Sequence, residues 1–545
     1  MTTEPYAAQQ QVITGRIELV GRIIILAAGL LLLCRDLTGT YTGWREDNNA
    51  LYSQFARNYI CYGFGNTKLF QTYGCAQTMP ANPQRYLNHP PLLPVWVAMA
   101  MAVFGDHEWV GRLIPITTTL GSAWLLMVIV SRFQSPIIGL LSGVFYLMLP
   151  MVAYFGRMLD HESPVQFFSL LMLHGYLQWA GLYGGGYNQK AGAVYYILGV
   201  VLGIGTGWAA VIMAGLIWLW YLWRVFHNYS SRRFLFWLAV IPVVSLAAVI
   251  IHILWGAQWD IGWLKPLFLS RTVGTEVRWS WQQWLSYNRS YFAINISPFG
   301  TIAAIFYLAI IPSILRFSSP DSPFRQIVRN NTSVVPILLT GLQGLIWIVL
   351  FKYQSGLHEY WQYFVAPFFA VAMAAVVLTV FTFLTIWTPR FSAIIAVLMI
   401  LLPVPFLSLR LNAYYDPYHK PLINKGIYDI RINDLVLALK RLNEIVPPRV
   451  PVLTSNNYVT CEQIRDSVNC RIMPTEAYYA NRPLIYTTDI NEIEANRQNC
   501  AAYILRATND PNMYQLAQKL GERYKLVGIE RDYMIFLLTG QPKGD

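Results

Sequence analysis

Residues 233–255 read RFLFWLAVIPVVSLAAVIIHILW. This stretch has one charged residue, Arg233, at its start, and as a helix it is long enough to cross about 30 Å of hydrocarbon. Apolar stretches of roughly 18 to 25 residues recur along the chain. The 545 residues are 55% hydrophobic and 12% charged, against about 25% charged in an ordinary soluble protein. The mean hydropathy is +0.38. The sequence therefore predicts a polytopic α-helical membrane protein.

About eleven membrane spans are predicted from these stretches. The first has no small-residue cleavage site after Leu33, which favours a retained helix over a cleaved signal peptide. Residues 91–104 are apolar but short for a span, so they predict a helix that lies on or dips into the outer surface. The predicted spans lie near residues 18–37, 112–132, 136–156, 164–182, 193–207, 208–226, 233–255, 298–316, 334–351, 362–387 and 390–410.

The basic residues predict the orientation of the spans. A Lys/Arg excess marks the cytoplasmic side of a membrane protein, and the basic connections 131–133, 224–233, 316–329 and 388–390 all fall on one face. We therefore expect a bacterial cytoplasmic (inner) membrane protein. The net charge is +12, but the basic residues flank the apolar segments instead of forming one patch, which argues against nucleic-acid binding. The periplasmic side is expected to hold residues 38–111, 157–163, 256–297, 352–361 and everything after 411.

The composition changes after Leu411, where hydrophobic runs shorten to strand length. Alternating strands and helices predict a soluble extracytoplasmic α/β domain over residues 412–545, with a largely parallel sheet. Residues 1–411 then form the membrane module. No Gly-rich phosphate loop follows the first strand, which argues against a nucleotide site. Strands are predicted at 450–454, 484–487, 501–505, 526–529 and 533–538, and helices at 432–444, 488–498 and 511–523.

The cysteines fit an oxidising compartment on the outer side. Cys61 and Cys75 share the first outer loop, and Cys461 and Cys470 lie close together in the terminal domain. Bridges 61–75 and 461–470 are plausible there, and free thiols fit the same spacing. No CxxC motif or His-x-x-x-His cluster is present, so no zinc site is predicted.

Two acidic sites recur beside apolar segments on the predicted outer face. Glu46 and Asp47 lie in TGWREDNNALYSQFARNYICYG (residues 42–63), and Asp160 and Glu162 lie in RMLDHE (residues 157–162). Carboxylates beside a membrane are costly unless they face water, a partner or a substrate. Each site could instead be a solvated loop, or Asp160 could pair with a neighbouring arginine. Their joint occurrence favours an outer-facing active site.

A helix start is predicted directly after the second acidic site. Ser163 is expected at the N-cap, Pro164 at the first helical position and Gln166 three residues after the cap. Asp160 and Glu162 would then lie just before a helix N-terminus, where the helix dipole favours negative charge.

At these residues the chain resembles a known family. Over about residues 15–410 it looks like the polyprenyl-phosphate-sugar-dependent glycosyltransferases of the GT-C superfamily, in the branch of protein O-mannosyltransferases and lipid A aminoarabinose transferases. The motifs that carry the resemblance are, in order, the first acidic pair, Tyr52, Ala56-Arg57, His89-Pro90-Pro91-Leu92, Phe104-Gly105, Gly111-Arg112-Leu113, the stretch from Gly156-Arg157 to Asp160, and His358-Glu359-Tyr360-Trp361-Gln362-Tyr363.

The resemblance implies a mechanism. The donor would be a sugar carried on a polyprenyl phosphate, entering from the membrane lipid, and the acceptor a hydroxyl of a protein, lipid or glycan. Transfer would be a single inverting displacement with no obligatory cofactor or metal. The family's acidic pair would fall on Asn48 and Asn49, so a register shift carries the catalytic base to Asp47, with Glu46 and Asp160 as further catalytic residues. Groups that would hold the substrate or its phosphate are Arg57, His89, Arg112, Arg157, His161, Glu162, His358, Tyr360 and Tyr363.

Other interpretations remain open at this stage. A flippase or transporter of lipid-linked sugars would need acidic residues or broken helices near the midplane, related by internal repeats. A structural membrane protein would not need two acidic sites on one face. The Trp-rich loop 278–284 could be an interfacial anchor, or Arg271 and Arg278 could reach the phosphate.

Overall fold

The computed structural model is predominantly helical. It describes residues 4–74, 78–183, 188–272, 279–310, 335–415, 431–456, 459–461, 470–472, 474–507 and 510–538. The helices of the first half are α1 (Glu4–Leu33), α2 (Asp47–Tyr62), α3 (Phe64–Thr67), α4 (Leu92–Phe104), α5 (Glu108–Phe133), α6 (Pro136–Met148), α7 (Pro150–Phe155), α8 (Glu162–Trp179), α9 (Gln189–Thr206), α10 (Ala209–Phe226) and α11 (Leu235–Gly256).

The second half continues with α12 (Leu264–Thr272), α13 (Trp281–Asn295), α14 (Pro298–Ile305), α15 (Val335–Leu350), α16 (Lys352–Leu357), α17 (Ala366–Trp387), α18 (Pro389–Leu401), α19 (Pro403–Tyr415), α20 (Arg431–Ile445), α21 (Pro474–Ala480), α22 (Ile490–Asn496) and α23 (Pro511–Arg523). Short 3-10 helices span Arg232–Phe234, Ile261–Trp263 and Glu359–Val365, and a π-helix spans Phe306–Ile310. The strands are β1 (Gln71–Thr72), β2 (Arg85–Tyr86), β3 (Val452–Thr454), β4 (Val459–Cys461), β5 (Cys470–Ile472), β6 (Leu484–Tyr486), β7 (Ala502–Arg506), β8 (Lys525–Glu530) and β9 (Tyr533–Leu537).

The chain divides into two compact units by its internal packing. Unit 1 comprises Met1–Leu37, Asn88–Leu92 and Arg112–Asn412. Unit 2 comprises Thr38–Leu87, Leu93–Gly111 and Ala413–Asp545, so it combines most of the predicted first outer loop with the terminal residues.

Fewer helices meet the length and composition of a membrane span than the eleven predicted. Among the described residues, five do so, and six do if the pair Trp281–Asn295 and Pro298–Ala309, bent by 109°, counts as one broken span. One predicted span, 136–156, is interrupted between α6 and α7 because Leu149 is extended and Pro150 follows it. The basic connection 316–329 lies outside the described residues. The five helices are Glu108–Phe133, Ala209–Phe226, Arg232–Gly256, Glu359–Ile386 and Arg390–Tyr415.

Glycines fix the position of α8, which carries the second acidic site at its start. A Cβ on Gly175 of α8 would lie 2.3 Å from the backbone nitrogen of Tyr196 on α9. A Cβ on Gly199 of α9 would lie 2.5 Å from the backbone nitrogen of Met172 on α8. Small residues allow two helices in a membrane protein to approach closely, so α8 and α9 pack backbone to backbone within unit 1.

The terminal sheet in unit 2 is mixed, and the expectation of a largely parallel sheet is corrected. The five predicted strands are present in the order β6-β3-β7-β9-β8. Strand β3 is parallel to β6 and β7, whereas β9 is antiparallel to both β7 and β8. Strands β8 and β9 are joined by only Arg531 and Asp532, and so short a connection forces an antiparallel hairpin.

The structure describes three of the four cysteines in the two predicted disulfide bridges. The register of β4 and β5 places Cys461 opposite Cys470. Cys61 is an exposed free thiol, and its predicted partner Cys75 lies outside the described residues.

Candidate functional site

Two fully buried arginines hold the chain just after α1 in unit 1. The Arg112 guanidinium donates a hydrogen bond of 2.8 Å to the carbonyl oxygen of Leu37. Arg157 donates to the carbonyl oxygen of Asp36 at 3.0 Å and to that of Arg35. Carbonyls at the end of a helix lack partners within the helix. The two predicted phosphate ligands therefore make structural contacts here, on the segment that leads in sequence to Glu46 and Asp47.

The second acidic site lies at the start of α8. Asp160 and Glu162 are both 6% exposed and lie close enough for their carboxyl groups to interact electrostatically. Burial and the neighbouring Asp160 carboxyl raise the pKa of Glu162 well above its usual value, which favours a protonated Glu162. Asp160 Oδ1 also accepts a 2.7 Å hydrogen bond from the backbone nitrogen of His161.

The predicted helix start is wrong. Helix α8 begins at Glu162, with His161 at the N-cap and no side-chain cap hydrogen bond. The Ser163 hydroxyl donates instead to the carbonyl oxygen of Pro115 at 2.9 Å. Gln166 is therefore not part of a capping box, although the sequence pattern fits one.

His89 and His161 stack against each other in unit 1. Their ring centroids are 4.2 Å apart and the rings are inclined by 13°. Burial lowers the pKa of His161 to about 3, against a weaker opposite effect of its hydrogen bond to the Thr206 carbonyl. Burial also lowers the pKa of His89 well below its usual value, and His161 and Arg271 add to that effect. The lowered pKa favours the neutral imidazole in both residues, and a neutral His89 can still hydrogen-bond to a phosphate.

The tautomer of His161 follows from its surroundings. Its Nδ1 lies 2.6 Å from the carbonyl oxygen of Thr206. Since a carbonyl only accepts, the neutral ring carries its proton on Nδ1, which leaves Nε2 as an acceptor.

A chain of hydroxyl groups continues inward from the acidic site. The Ser163 hydroxyl lies 2.7 Å from that of Thr119, and the Thr119 hydroxyl lies 3.1 Å from that of Tyr363. The Tyr146 hydroxyl donates to Tyr363 at 3.3 Å. Glu162 is close enough to Tyr363 to interact with it electrostatically. The hydroxyl groups thus connect Ser163, which follows Glu162 in the sequence, to the predicted residue Tyr363 through Thr119.

The segment with His358 and Tyr360 is held by α13. Trp284 Nε1 donates to the Ser355 hydroxyl at 2.9 Å, and the Tyr291 hydroxyl donates to the carbonyl oxygen of Gly356 at 2.9 Å. His358 is half-buried, and its ring centroid lies 5.2 Å from that of Tyr360.

Glu46, Asp47 and Arg57 belong to unit 2. Glu46 is buried and accepts a 3.2 Å hydrogen bond from the Gly43 backbone nitrogen. Asp47 is half-buried and is the first residue of α2. Arg57 lies about three turns further along this helix, where it contacts Asp106 at 2.5 Å and the Tyr478 carbonyl oxygen at 2.6 Å.

Several of these residues were missed by sequence reasoning. Asp106 and Tyr478 engage Arg57 from distant parts of the sequence, and no local pattern points to them. Thr119 and Gln343 could have been found, because polar residues inside apolar helices are often functional. Within the part of the chain that the structure describes, no group of three or more His, Cys, Asp or Glu side chains could hold a metal ion.

Comparison with solved structures identifies the fold. ArnT from Cupriavidus metallidurans, bound to undecaprenyl phosphate, matches with a TM-score of 0.61 and 12% identity, over 97% of this chain and 98% of ArnT. The Archaeoglobus fulgidus oligosaccharyltransferase tethered with an acceptor peptide matches with a TM-score of 0.55 and 13% identity, over 93% of this chain and 72% of that enzyme. The chain has the GT-C fold.

The same archaeal oligosaccharyltransferase, AglB, in complex with an inhibitory peptide and a dolichol-phosphate, matches with a TM-score of 0.50 and 12% identity, over 92% of this chain and 72% of AglB. No family model and no curated protein sequence matches the chain. The resemblance read from its motifs is thus supported at the level of the fold.

Proposed function

We propose that this chain is a membrane glycosyltransferase that moves a sugar from a polyprenyl-phosphate donor to an acceptor hydroxyl of a protein, lipid or glycan. The observation that carries the proposal is the likeness over nearly the full length to ArnT, which was solved with undecaprenyl phosphate bound. Asp160, His161 and Glu162 are buried and the half-buried His89 stacks on His161, and this grouping of predicted site residues adds support. The active site would face the periplasm, because the basic connections predict the opposite face as cytoplasmic.

The donor phosphate needs positive charge or hydrogen-bond donors as the bond to the sugar breaks. Arg271 contributes to the lowered pKa of the half-buried His89, so we propose that these two residues bind the phosphate. His358, Tyr360 and Tyr363 remain candidates to bind the phosphate or the substrate. Arg57, Arg112 and Arg157 already bind carbonyl or carboxylate oxygens, and we assign them a role in holding the chain.

Asp47 is the proposed general base. It is half-buried, whereas Glu46 is buried and bound to the Gly43 amide. A base removes the proton from the acceptor hydroxyl while the lipid phosphate leaves from the opposite side of the sugar, and the configuration inverts. No metal or other cofactor is required for this step, since the phosphate is already a good leaving group at neutral pH.

The deciding experiment is sugar transfer by the purified protein in lipid nanodiscs. A panel of polyprenyl-phosphate sugars is offered with host membrane extract as the acceptor, and Asp47→Asn is compared with wild type. We expect wild type to consume one donor, and the variant to lose about 10²- to 10⁴-fold in turnover, the usual contribution of a general base. Asp532→Asn, on the exposed β8–β9 turn, is the matched control for the loss of one carboxylate.

Two outcomes contradict parts of the proposal, and a third requires a further variant. Unchanged turnover in Asp47→Asn moves the base to Glu46 or Asp160. Loss of turnover together with loss of folding leaves the base unassigned until Asp47→Glu is measured, which would restore activity only if the carboxylate is required. Movement of the intact lipid-linked sugar across the bilayer without transfer would favour a flippase.

A further inference from the structure

A row of buried polar side chains runs along one face of α8. Glu162, Gln166 and Ser169 are spaced by four and three residues, so they share a face of this helix. Glu162 is 6% exposed and the other two are fully buried. Gln343 of α15 continues the row, since its Nε2 donates to the Ser169 hydroxyl at 2.8 Å and to the Ala209 carbonyl oxygen at 2.9 Å.

Several atoms of this row have no hydrogen-bond partner among the described residues. They are both polar side-chain atoms of Gln166, Oε2 of Glu162 and Oε1 of Gln343. Buried polar groups in folded proteins nearly always have partners, so such a set requires an explanation. The explanation that the sequence offers for Gln166, a capping box, does not hold, because the helix begins earlier and has no side-chain cap.

The chemistry of these atoms restricts the ligand. A carboxyl group accepts and, when protonated, also donates, and a primary amide both donates and accepts. Hydroxyl groups, which also donate and accept, satisfy both. A phosphate fits less well, because the row begins beside the carboxyl groups of Asp160 and Glu162 and contains no cation.

The location of the row restricts the ligand further. Gln166 lies one helical turn after Glu162, and Glu162 follows directly on His161, which stacks on the proposed phosphate ligand His89. A sugar attached to that phosphate would present its hydroxyls in this region of unit 1. We infer that Glu162 and Gln166 bind hydroxyl groups of the donor's sugar and so help to select it. This inference rests on the proposed function.

The test separates binding of the sugar from binding of the lipid phosphate. Gln166→Leu removes both hydrogen-bonding atoms and nearly preserves the volume. We expect kcat/KM for the preferred donor to fall about tenfold or more, mainly through KM, as is usual for the loss of a hydrogen bond to a substrate hydroxyl. The affinity for bare polyprenyl phosphate should change by less than about twofold. The melting temperature should stay equal or rise, because an unsatisfied buried amide is removed.

A matched control lies on the same helix. Gln178 is also buried on α8, about 18 Å further along, and its amide donates to the Asn188 carbonyl oxygen at 2.9 Å. Gln178→Leu should leave kcat/KM for the donor near the wild-type value. Donor analogues that each lack one sugar hydroxyl give a second control. For the analogue that lacks the hydroxyl bound by Gln166, Gln166→Leu should lower kcat/KM by a smaller factor than it does for the full donor.

Four results would overturn the inference. Unchanged kcat/KM in Gln166→Leu would mean that the row holds water only. An equal loss of affinity for bare polyprenyl phosphate would mean that the substitution perturbs the fold, as would a lowered melting temperature. A uniform loss across all deoxy donors would exclude a specific contact. If wild type neither binds polyprenyl phosphate nor transfers sugar, the proposed function itself fails, which is distinct from these results.

Discussion

At the scale of single residues, buried ionisable groups in this chain are not all catalytic. Glu476 of α21 lies in unit 2, is 4% exposed, and its Oε2 has no hydrogen-bond partner among the described residues. Burial raises the pKa of this carboxyl to about 8 from the usual 4.5. The folded protein therefore holds a proton that the unfolded chain releases above about pH 4.5, so stability falls as the pH rises from about 4.5 to 8.

Glu476→Gln should stabilise unit 2 in that pH window. The amide has the same shape and no charge, so the cost of the buried carboxyl disappears. We expect the variant to have a higher melting temperature than wild type at pH 8, with a free energy of unfolding larger by at most a few kcal/mol. Both differences should vanish near pH 4.5. Thermal unfolding in detergent, followed between pH 5 and 8, measures this. Glu522→Gln, an exposed carboxyl of the same unit, should show no such trend. A pH-independent difference would contradict the raised pKa.

At the scale of elements, buried side chains hold the ends and connections of helices. Arg112 and Arg157 bind three successive carbonyls after α1, where Asp36 has a left-handed φ of 53°. Helix α13 binds the segment 355–362 through Trp284 and Tyr291. In both places a rigid helix positions a short irregular segment that carries or precedes predicted site residues.

Arg157→Lys should loosen the end of α1. A lysine cannot reproduce the forked guanidinium contacts to two carbonyls, so the melting temperature measured without any lipid donor should fall by a few degrees. Hydrogen exchange should accelerate in residues 34–46. Arg132→Lys, an exposed arginine at the end of α5, is the control. If Arg157 serves only to bind phosphate, stability and exchange without donor would equal those of wild type.

Tyr291→Phe should weaken turnover without abolishing it. The change removes the hydrogen bond to the Gly356 carbonyl, which is worth about 1 kcal/mol, and frees the segment that carries His358 and Tyr360. We expect kcat to fall a few-fold, with hydrogen exchange increased in residues 354–360. Tyr287→Phe, one turn earlier on α13, is the matched variant. Equal effects of both substitutions would contradict a specific positioning role for Tyr291.

At the scale of the whole molecule, the distribution of basic residues predicts the orientation in the membrane. The connection that contains Arg224, Arg232 and Arg233 is expected in the cytoplasm, and the first loop and terminal residues outside. The GT-C fold is compatible with this orientation but does not determine it, so the orientation has to be measured.

Single-cysteine labelling in whole cells measures the orientation. In a background without the other cysteines, the exposed Cys61 and a cysteine replacing Glu522 should react with a membrane-impermeant maleimide in cells whose inner membrane is intact. A cysteine replacing Tyr229, which is 63% exposed, should react only after that membrane is permeabilised. The reverse pattern would place the proposed active site in the cytoplasm and exclude a periplasmic reaction.

The sequence by itself determined the class of the protein, its family resemblance and most of its local elements. The apolar stretches predict membrane helices because helix length must match hydrocarbon thickness. The five terminal strands and the helix at 511–523 lie where local patterns predict them. These features depend on neighbouring residues, which a sequence displays directly. The sequence also pointed to Asp160, Glu162, His89 and His161; the structure buries Asp160, His161 and Glu162 and stacks the half-buried His89 on His161.

Only the tertiary structure decided how those residues are used. Burial, which lowers the pKa of His89 and of His161, depends on atoms from distant segments. The hydrogen bonds from Arg112 and Arg157 to backbone carbonyls also depend on distant segments. The same holds for Gln166, whose side chain has no partner among the described residues. The mixed sheet likewise follows from the pairing of β9 between β7 and β8. Charge state, hydrogen-bond partners and strand pairing are set by contacts between residues remote in the chain, and no local pattern encodes them.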